Sequence, residues 1–305
     1  MQSENHRVSE NSALSSGVFA VVVTYNPGQY LASHLEAIRS QVSNVLIVDN
    51  GSHDGDIVRA VAERTGCAYR SNERNLGIAA ALNQGAAAAI RHGATWLAMF
   101  DQDSEPPPDS INSLLQTYAN IENHQRVAIL AMSHRDRGTG RDYHLASDIL
   151  LEQASIRTVK TTITSGSMLL IDAYKALGPF DEQLFIDSVD LEYCLRARNE
   201  GYEVVESRST YLAHSIGDAE LRVVFGREYM LTHHSAERRY YITRNQLRVL
   251  TRYARFDPRW SMNALLHLTR LNVAVLLLEN DRMNKLMAML QAVRDFTFGR
   301  FGPRR

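Results

Sequence analysis

The first hundred residues alternate between two hydrophobic periods. Val18–Thr24 (VFAVVVT) is a β-branched run closed by Tyr25-Asn26-Pro27-Gly28, which predicts a buried strand and a turn. Leu31, Leu35, Ile38 and Val42 then recur at helical spacing. Residues 45–48 (VLIV) give the next buried strand, ended by Asp49-Asn50-Gly51-Ser52. A helix is predicted over 57–64 and a short strand over 67–70. Asn75-Leu76-Gly77 leads into an alanine-rich helix, Ile78–Arg91, and 96–100 (WLAMF) is a fourth strand. This β-α-β-α-β-α-β order argues for an α/β fold: a mostly parallel sheet, helices on both faces, right-handed crossovers.

Later elements read less sharply. A helix is expected after Pro106–Pro108, capped by Asp109 or Ser110, then strands over 127–131, 158–163, 168–171 and 203–205. Residues 133–147 are polar, basic and glycine-containing, hence a loop. Residues 187–193 (DSVDLEY) enter a helix with Ser188 as its expected N-cap. Beyond Gly226 the character changes: residues 240–245 (YYITRN) open a basic helix with Leu247, Leu250 and Tyr253, followed by apolar residues over 261–278 and an amphipathic basic stretch over 282–305.

Each early strand ends in polar residues: Thr24-Tyr25-Asn26, Asp49-Asn50 and Asp101-Gln102-Asp103. Parallel strands collect such clusters along one sheet edge, where ligands of open α/β sheets bind. Asp101 and Asp103 are two apart at a strand end, so the pleat predicts that they point the same way. Two such carboxylates are hard oxygen ligands suited to Mg²⁺ or Mn²⁺ shared with substrate phosphates. No G-x-G-x-x-G or G-x-x-x-x-G-K-[ST] follows the first strand, which argues against NAD and against a glycine-loop phosphate cradle.

Composition is that of a globular protein, 45% hydrophobic and 22% charged over 305 residues. The net charge of −1 is unevenly spread: 226–305 hold 15 Lys/Arg against 6 Asp/Glu, while 1–225 hold 18 against 28. The expected division is a disordered arm (1–17), a catalytic domain (18–225, nucleotide-binding half 18–104 and acceptor half 105–225), and a basic helical region (226–305). Residues 1–17 lack the apolar core of a signal peptide, and no uninterrupted run of 18 apolar residues predicts a membrane span. Cys67 and Cys194 read as buried thiols.

Taken in order, VVVTYN, IVDNGS, RNLGIAAALNQG, FDQDS, TSGSMLL and FIDSVDLEYCLRARNEGY resemble family 2 glycosyltransferases of the GT-A fold. FDQDS, the VDLE helix start and YYITRN are similar to bacterial rhamnosyltransferases of cell-surface polysaccharide and lipopolysaccharide assembly. The resemblance covers residues 18 to about 250 and is more specific for the family than for the sugar. It implies an inverting, metal-dependent transferase taking L-rhamnose from dTDP-L-rhamnose to a saccharide or lipid-linked acceptor. It also implies a nucleotide pocket of Thr24, Tyr25, Asn26, Asp49, Asn75, Gly77 and Asp101. Asp101, Asp103 and His214 would form the metal site, and Ser165, Gly166 and Glu192 would meet the sugars. Asp190 matches the family's general base, but Val189 replaces the acidic residue usual before it, so Asp187 and Asp190 both stay candidates.

Galactofuranosyl or hexosyl transfer is the alternative within the class; a non-catalytic nucleotide-sugar-binding subunit and a nucleotidyltransferase lie outside it. The last would show a Lys/Arg-containing glycine loop where this chain has Tyr25-Asn26-Pro27-Gly28-Gln29. The expected location is cytoplasmic. Peripheral contact with the inner membrane face and homo-oligomerisation stay open, and nucleic acid is not an expected partner.

Overall fold

A computed structural model describes residues 17–136, 148–214, 220–224, 227–231 and 233–304; the side chains of Asp136, His214 and 220–231 lie outside that description. The arm, except Gly17, and residues 137–147 of the expected 133–147 loop also fall outside it, whereas 133–136 of that expected loop extend strand β5 (Val127–Asp136). The chain forms two compact units, one of residues 1–180 and 193–214, the other of residues 181–192 and 215–305.

The first unit is built on strands β1 (Val18–Thr24), β2 (Asn44–Asp49), β3 (Ala68–Ser71) and β4 (Trp96–Asp101), connected by helices α1 (Leu31–Arg39), α2 (Gly55–Thr65) and α3 (Ile78–Arg91). Helix α4 (Ser110–Ala119) follows, then β5 (Val127–Asp136), β6 (Ile149–Glu152), β7 (Ile156–Val159), β8 (Ser167–Leu170) and α5 (Ile171–Leu177). Helix α6 (Val189–Asn199) leads to β9 (Glu203–His214). The nine strands form one sheet ordered β3-β2-β1-β4-β8-β5-β9-β7-β6. The four strands at the β3 end are mutually parallel, as the βα alternation requires. Beyond β4 the sheet is mixed: β8 runs antiparallel to β4 and β5, while β5 and β9 are parallel.

Strand β1 is buried on both faces, so its side chains divide by the two-residue pleat. Val18, Ala20 and Val22 join a core with Leu35 and Ile38 of α1, Val58 and Ala62 of α2, and Ile111 and Leu114 of α4. Val21 meets α3 instead, where a Cβ at Gly85 would come within 2.6 Å of Val21. That contact explains the glycine amid the alanines of α3: helix and strand approach too closely for a side chain. Both cysteines are free and buried.

Several boundaries differ from the sequence reading. The strand expected over 158–163 spans Ile156–Val159, because Thr162 turns inward to hydrogen-bond a buried carboxylate. Strand β9 runs on from 205 to His214 through polar residues that lack an apolar rhythm, and α5 was not anticipated.

The second unit contains a hairpin of β10 (Glu220–Val224) and β11 (Arg227–Leu231), then helices α7 (Ala236–Tyr253), α8 (Pro258–Leu278) and α9 (Arg282–Thr297). Ser235 caps α7, and Asp257 caps α8 by accepting from the Trp260 N–H. Tyr240 and Tyr241 of α7 pack on Ala288 and Ala292 of α9. Glu279, fully buried, is matched by Arg239 at 3.2 Å and Lys285 at 2.7 Å. By length and composition alone, helix α8 passes as a candidate span: its 21 residues include an 18-residue window of mean hydropathy 1.3, which does not overturn the expectation of no membrane span. Counting uninterrupted apolar residues passes over this window, since Asn263, His267, Arg270 and Asn272 break the run without lowering its average far.

Candidate active site

In the first unit, the loops after β1 to β4 are tied together by side-chain hydrogen bonds. Asp49, fully buried, accepts from Thr24 Oγ1 at 3.2 Å, Ser52 Oγ at 2.5 Å and Tyr69 OH at 3.2 Å. Asn26 closes the next layer: its N–H donates to Ser52 Oγ and its Oδ1 accepts the His53 N–H. Asn50 spans from β2 to the loop after β3, where its Oδ1 accepts from Asn72 Nδ2 and the Leu76 N–H and its Nδ2 donates to Asn75 Oδ1. Asn75 Oδ1 also accepts the Gly77 N–H just before α3. Gly51 has a φ of +84°, and a Cβ there would come within 2.6 Å of the Arg74 backbone, so the β2 and β3 loops touch at a residue that must be glycine.

The fourth loop carries the acidic pair. Strand β4 ends at Asp101, and Asp103 lies in the turn beyond it, so the turn and not the pleat sets their relation. Gln102 ties this turn to the first loop, accepting the Tyr25 N–H at 2.8 Å. The Asp101 N–H donates to Ser165 Oγ at 3.1 Å, and Ser104 Oγ hydrogen-bonds the same Ser165 hydroxyl. Asp103 is exposed and has no hydrogen-bond or ion-pair partner among the described residues. Two carboxylates in an exposed turn fit Mg²⁺ or Mn²⁺, which keeps most positions for water and phosphate oxygens. Among the described residues no three His, Cys, Asp or Glu side chains converge, and the His214 side chain falls outside the description.

The second unit holds the three remaining acids. Asp187 and Ser188 each have a φ of +64°, and Phe185 one of +65°. Left-handed backbone is costly for residues with a Cβ and persists only where surroundings enforce it. Ser188 therefore does not have the extended backbone of a capping serine, contrary to the sequence expectation. The enforcing group is Asn245 of α7, whose Nδ2 donates to the carbonyls of Leu184 and Ile186 at 2.7 Å each and of Asp187 at 3.1 Å. Arg244, also buried, donates to the Gly302 carbonyl at 2.7 Å and orients Asn245 through its Oδ1 at 3.0 Å. Asp187 faces Arg238, Nη2 to Oδ1 3.3 Å. Burial pushes the Asp187 carboxyl above the ordinary value, and Arg238, pulling the other way, does not cancel it. Asp190 begins α6 and accepts the Leu191 N–H. Glu192, buried, accepts from Tyr253 OH at 2.8 Å and pairs with Arg252 at 3.3 Å.

The sequence reading missed Asn50, Ser52, Tyr69, Asn72 and Gln102 as loop ties, and Asn245 as the clamp on 184–187. Asn72 stands just past β3, as Asn50 of the strand-end cluster stands just past β2, a position that could have flagged it.

The profile described as "Glycosyl transferase family 2" matches residues 19–176. The chain belongs to glycosyl transferase family 2. It is 30% identical, over 94% of its length and 98% of the relative's, to dTDP-rhamnosyl transferase RfbF of Shigella flexneri. Galactofuranosyltransferase GlfT1 of Mycolicibacterium smegmatis is 23% identical over 68% of this chain and 74% of its own. Among solved structures, S. aureus TarS 1–349 in complex with UDP-GlcNAc aligns over 92% of this chain and 80% of its own, with a TM-score of 0.59 at 14% identity. GalNAc-T7 with UDP, GalNAc and Mn²⁺ aligns over 77% of this chain, which spans about half that protein (48%), with a TM-score of 0.55 at 15% identity. The family 2 protein is thus a glycosyltransferase with a GT-A-type fold, as its sequence motifs implied.

Proposed function

We propose that this glycosyltransferase moves L-rhamnose from dTDP-L-rhamnose, with inversion, to a saccharide or lipid-linked acceptor in cell-surface polysaccharide synthesis. The observation that carries the sugar is the full-length likeness to a dTDP-rhamnosyl transferase. Galactofuranosyl transfer is the second reading, favoured by the weaker likeness to GlfT1.

In this reading the nucleotide lies over the β1 to β4 loops. Asp49 and its hydroxyl donors fix the floor of the base pocket, with Thr24, Tyr25, Asn26, Asn75 and Gly77 around it. Asp101 and Asp103 would hold Mg²⁺ or Mn²⁺, with His214 a further candidate ligand, and such an ion would supply charge neutralisation for the departing diphosphate. GalNAc-T7 was solved with Mn²⁺, which supports a divalent ion here without choosing between the two. The acceptor oxygen bonds to the anomeric carbon as that carbon's bond to the diphosphate oxygen breaks, and the electron pair leaves with the diphosphate. The acceptor proton passes to Asp190. Asp187 is the alternative base, but its Arg238 contact and its place in the clamped loop suit a supporting role. Ser165 and Gly166 border the Asp101 turn, while Glu192 is engaged by Tyr253 and Arg252 and anchors α6 rather than meeting a sugar.

The enzyme works in the cytoplasm on the inner membrane face. Met262, Leu265, Leu266, Val273 and Leu277 of α8 and Met283, Met287 and Leu290 of α9 are exposed, and so is Arg270 among them, while Glu279 and Asp295 are buried. An apolar face with surface arginines and few exposed carboxylates suits an anionic bilayer surface. The deciding experiment offers a panel of nucleotide sugars, with and without Mg²⁺ or Mn²⁺, and follows metal-dependent binding and donor hydrolysis. Preference for dTDP-L-rhamnose supports the reading; preference for UDP-galactofuranose replaces it with the second.

A further inference from the structure

We propose that His134 and Glu206, two buried residues of the first unit, position the Asp101–Ser104 turn through Ser165. The inference rests on the reading that this turn holds a divalent ion and a nucleoside diphosphate.

Both side chains are almost fully buried, His134 on β5 and Glu206 on β9. A carboxylate and an imidazole inside a sheet cost stability that apolar residues of similar size would not. Their contacts run in one direction. Thr162 Oγ1 donates to Glu206 Oε1 at 2.9 Å, and that oxygen lies 3.8 Å from His134 Nδ1. On the far side of the ring, His134 Nε2 is 2.8 Å from the Ser165 carbonyl. A carbonyl only accepts, so Nε2 carries the hydrogen and the ring orientation is set. Ser165 Oγ in turn accepts the Asp101 N–H.

The Ser165–Gly166 turn is thus held on two sides. The Gly166 N–H donates to the Met99 carbonyl of β4, and the Met132 N–H of β5 donates to the Gly166 carbonyl, each at 3.0 Å. Gly166 has a φ of +75°, and a Cβ there would sit 3.0 Å from Leu212 and 3.6 Å from His134 Nε2, so the turn has little room to slide. From the interior, His134 ties it through the Ser165 carbonyl and buried Ser104 through the Ser165 hydroxyl, while Glu206 Oε1 stands 3.8 Å from the other ring nitrogen, outside hydrogen-bond distance. This arrangement is an outer layer of support for a metal-binding carboxylate, the kind whose loss lowers metal affinity by about 10–100-fold. Neither residue touches substrate, so both are positioning residues.

The test is calorimetric titration of the full chain with dTDP at fixed Mn²⁺, and with thymidine alone as a metal-independent probe of the base pocket. His134→Ala is expected to weaken Mn²⁺-dependent dTDP binding by about tenfold or more and leave thymidine binding unchanged. His134→Gln, whose amide can still donate to the Ser165 carbonyl, is expected to recover most of the loss. Ser165→Ala, which removes the Asp101 tie without disturbing the buried pair, should reproduce the His134→Ala loss and stands in for it should that variant not fold. Wild-type dTDP binding by Ser165→Ala or His134→Ala, while Asp103→Ala abolishes the Mn²⁺ dependence, overturns the positioning role and leaves the metal reading intact. No effect of Mn²⁺ on dTDP binding to the wild type overturns both. A His134→Gln variant no better than His134→Ala also overturns the proposal.

Discussion

The side-chain amide of Asn245 donates to the Ile186 carbonyl at 2.7 Å, inside the loop where Phe185, Asp187 and Ser188 all hold left-handed backbone. An amide buried so completely, and spent on main-chain carbonyls, fixes the conformation that three residues would otherwise abandon. Asn245→Ala is therefore expected to lower kcat on the order of 10²-fold, the cost of misplacing a reacting group by about an ångström. Donor binding should stay close to wild type, because the nucleotide loops belong to the first unit. Steady-state kinetics beside dTDP titration checks the split, and an equal fall in donor affinity would contradict it.

Asp103→Ala is expected to abolish turnover and the metal dependence of dTDP binding. The carboxylate is exposed and committed to no other described residue, so its loss removes a metal ligand without opening the core. Chelation of the wild type should give the same phenotype, and re-addition of Mn²⁺ or Mg²⁺ should restore only the wild type. Near-normal activity of the variant at limiting metal would refute the assignment.

Asp190→Asn should cut kcat by roughly 10²–10⁴ while leaving donor binding nearly unchanged, since the swap keeps shape and removes basicity. Asp187→Asn should be milder. Should the order reverse, the base is Asp187, and the acid limb of the pH–rate profile will then lie above the ordinary carboxylate range, where burial has pushed that group.

Glu279 is matched by two cations in a site closed to water. Desolvation works to raise its pKa, yet the hydrogen bond from Lys285 and the charge of Arg239 outweigh it and hold the carboxyl below the ordinary value. Glu279→Gln leaves Arg239 and Lys285 buried without their counter-charge, a change that costs about 3–5 kcal/mol. Thermal unfolding should show a large loss in the second unit, and a fall of only a degree or two would speak against a buried triad.

His234 supplies a pH dependence. Burial first, then the neighbouring Arg238 and Arg239, push it from 6.5 down to about 4, while Glu279 pulls upward and Lys285 downward. Between about pH 6.5 and 4 the unfolded chain takes up a proton that the folded chain refuses, so stability drops as pH falls through that window and is flat above it. His234→Gln should flatten this part of the Tm-versus-pH curve. An unchanged acid slope would show that other groups govern it.

Strands β1, β2 and β4 of the parallel half were legible because they are buried on both faces and so read as unbroken apolar runs, with turn residues marking each end, whereas exposed β3 carried only the βα alternation. The same logic placed Asp49 and Asp101 at strand ends, while Asp103 falls in the turn beyond β4, where the pleat no longer governs its direction. Strand β9 and the Glu206–His134 pair escaped because a buried charge inside a strand looks, in sequence, like a solvated one. Asn245 escaped for another reason: its partners lie 58 to 61 residues away, and their carbonyls carry no side-chain signature.

That separation also sets a schedule for synthesis. A ribosome adding about 5–20 residues per second leaves Asp187 waiting roughly 3–12 s for Asn245, which arrives 58 residues later. During that interval the strands proposed to bind the nucleotide have been made, but the loop that leads into the proposed base Asp190 has no clamp. A nascent chain can thus acquire affinity for its donor before it acquires the means to spend it.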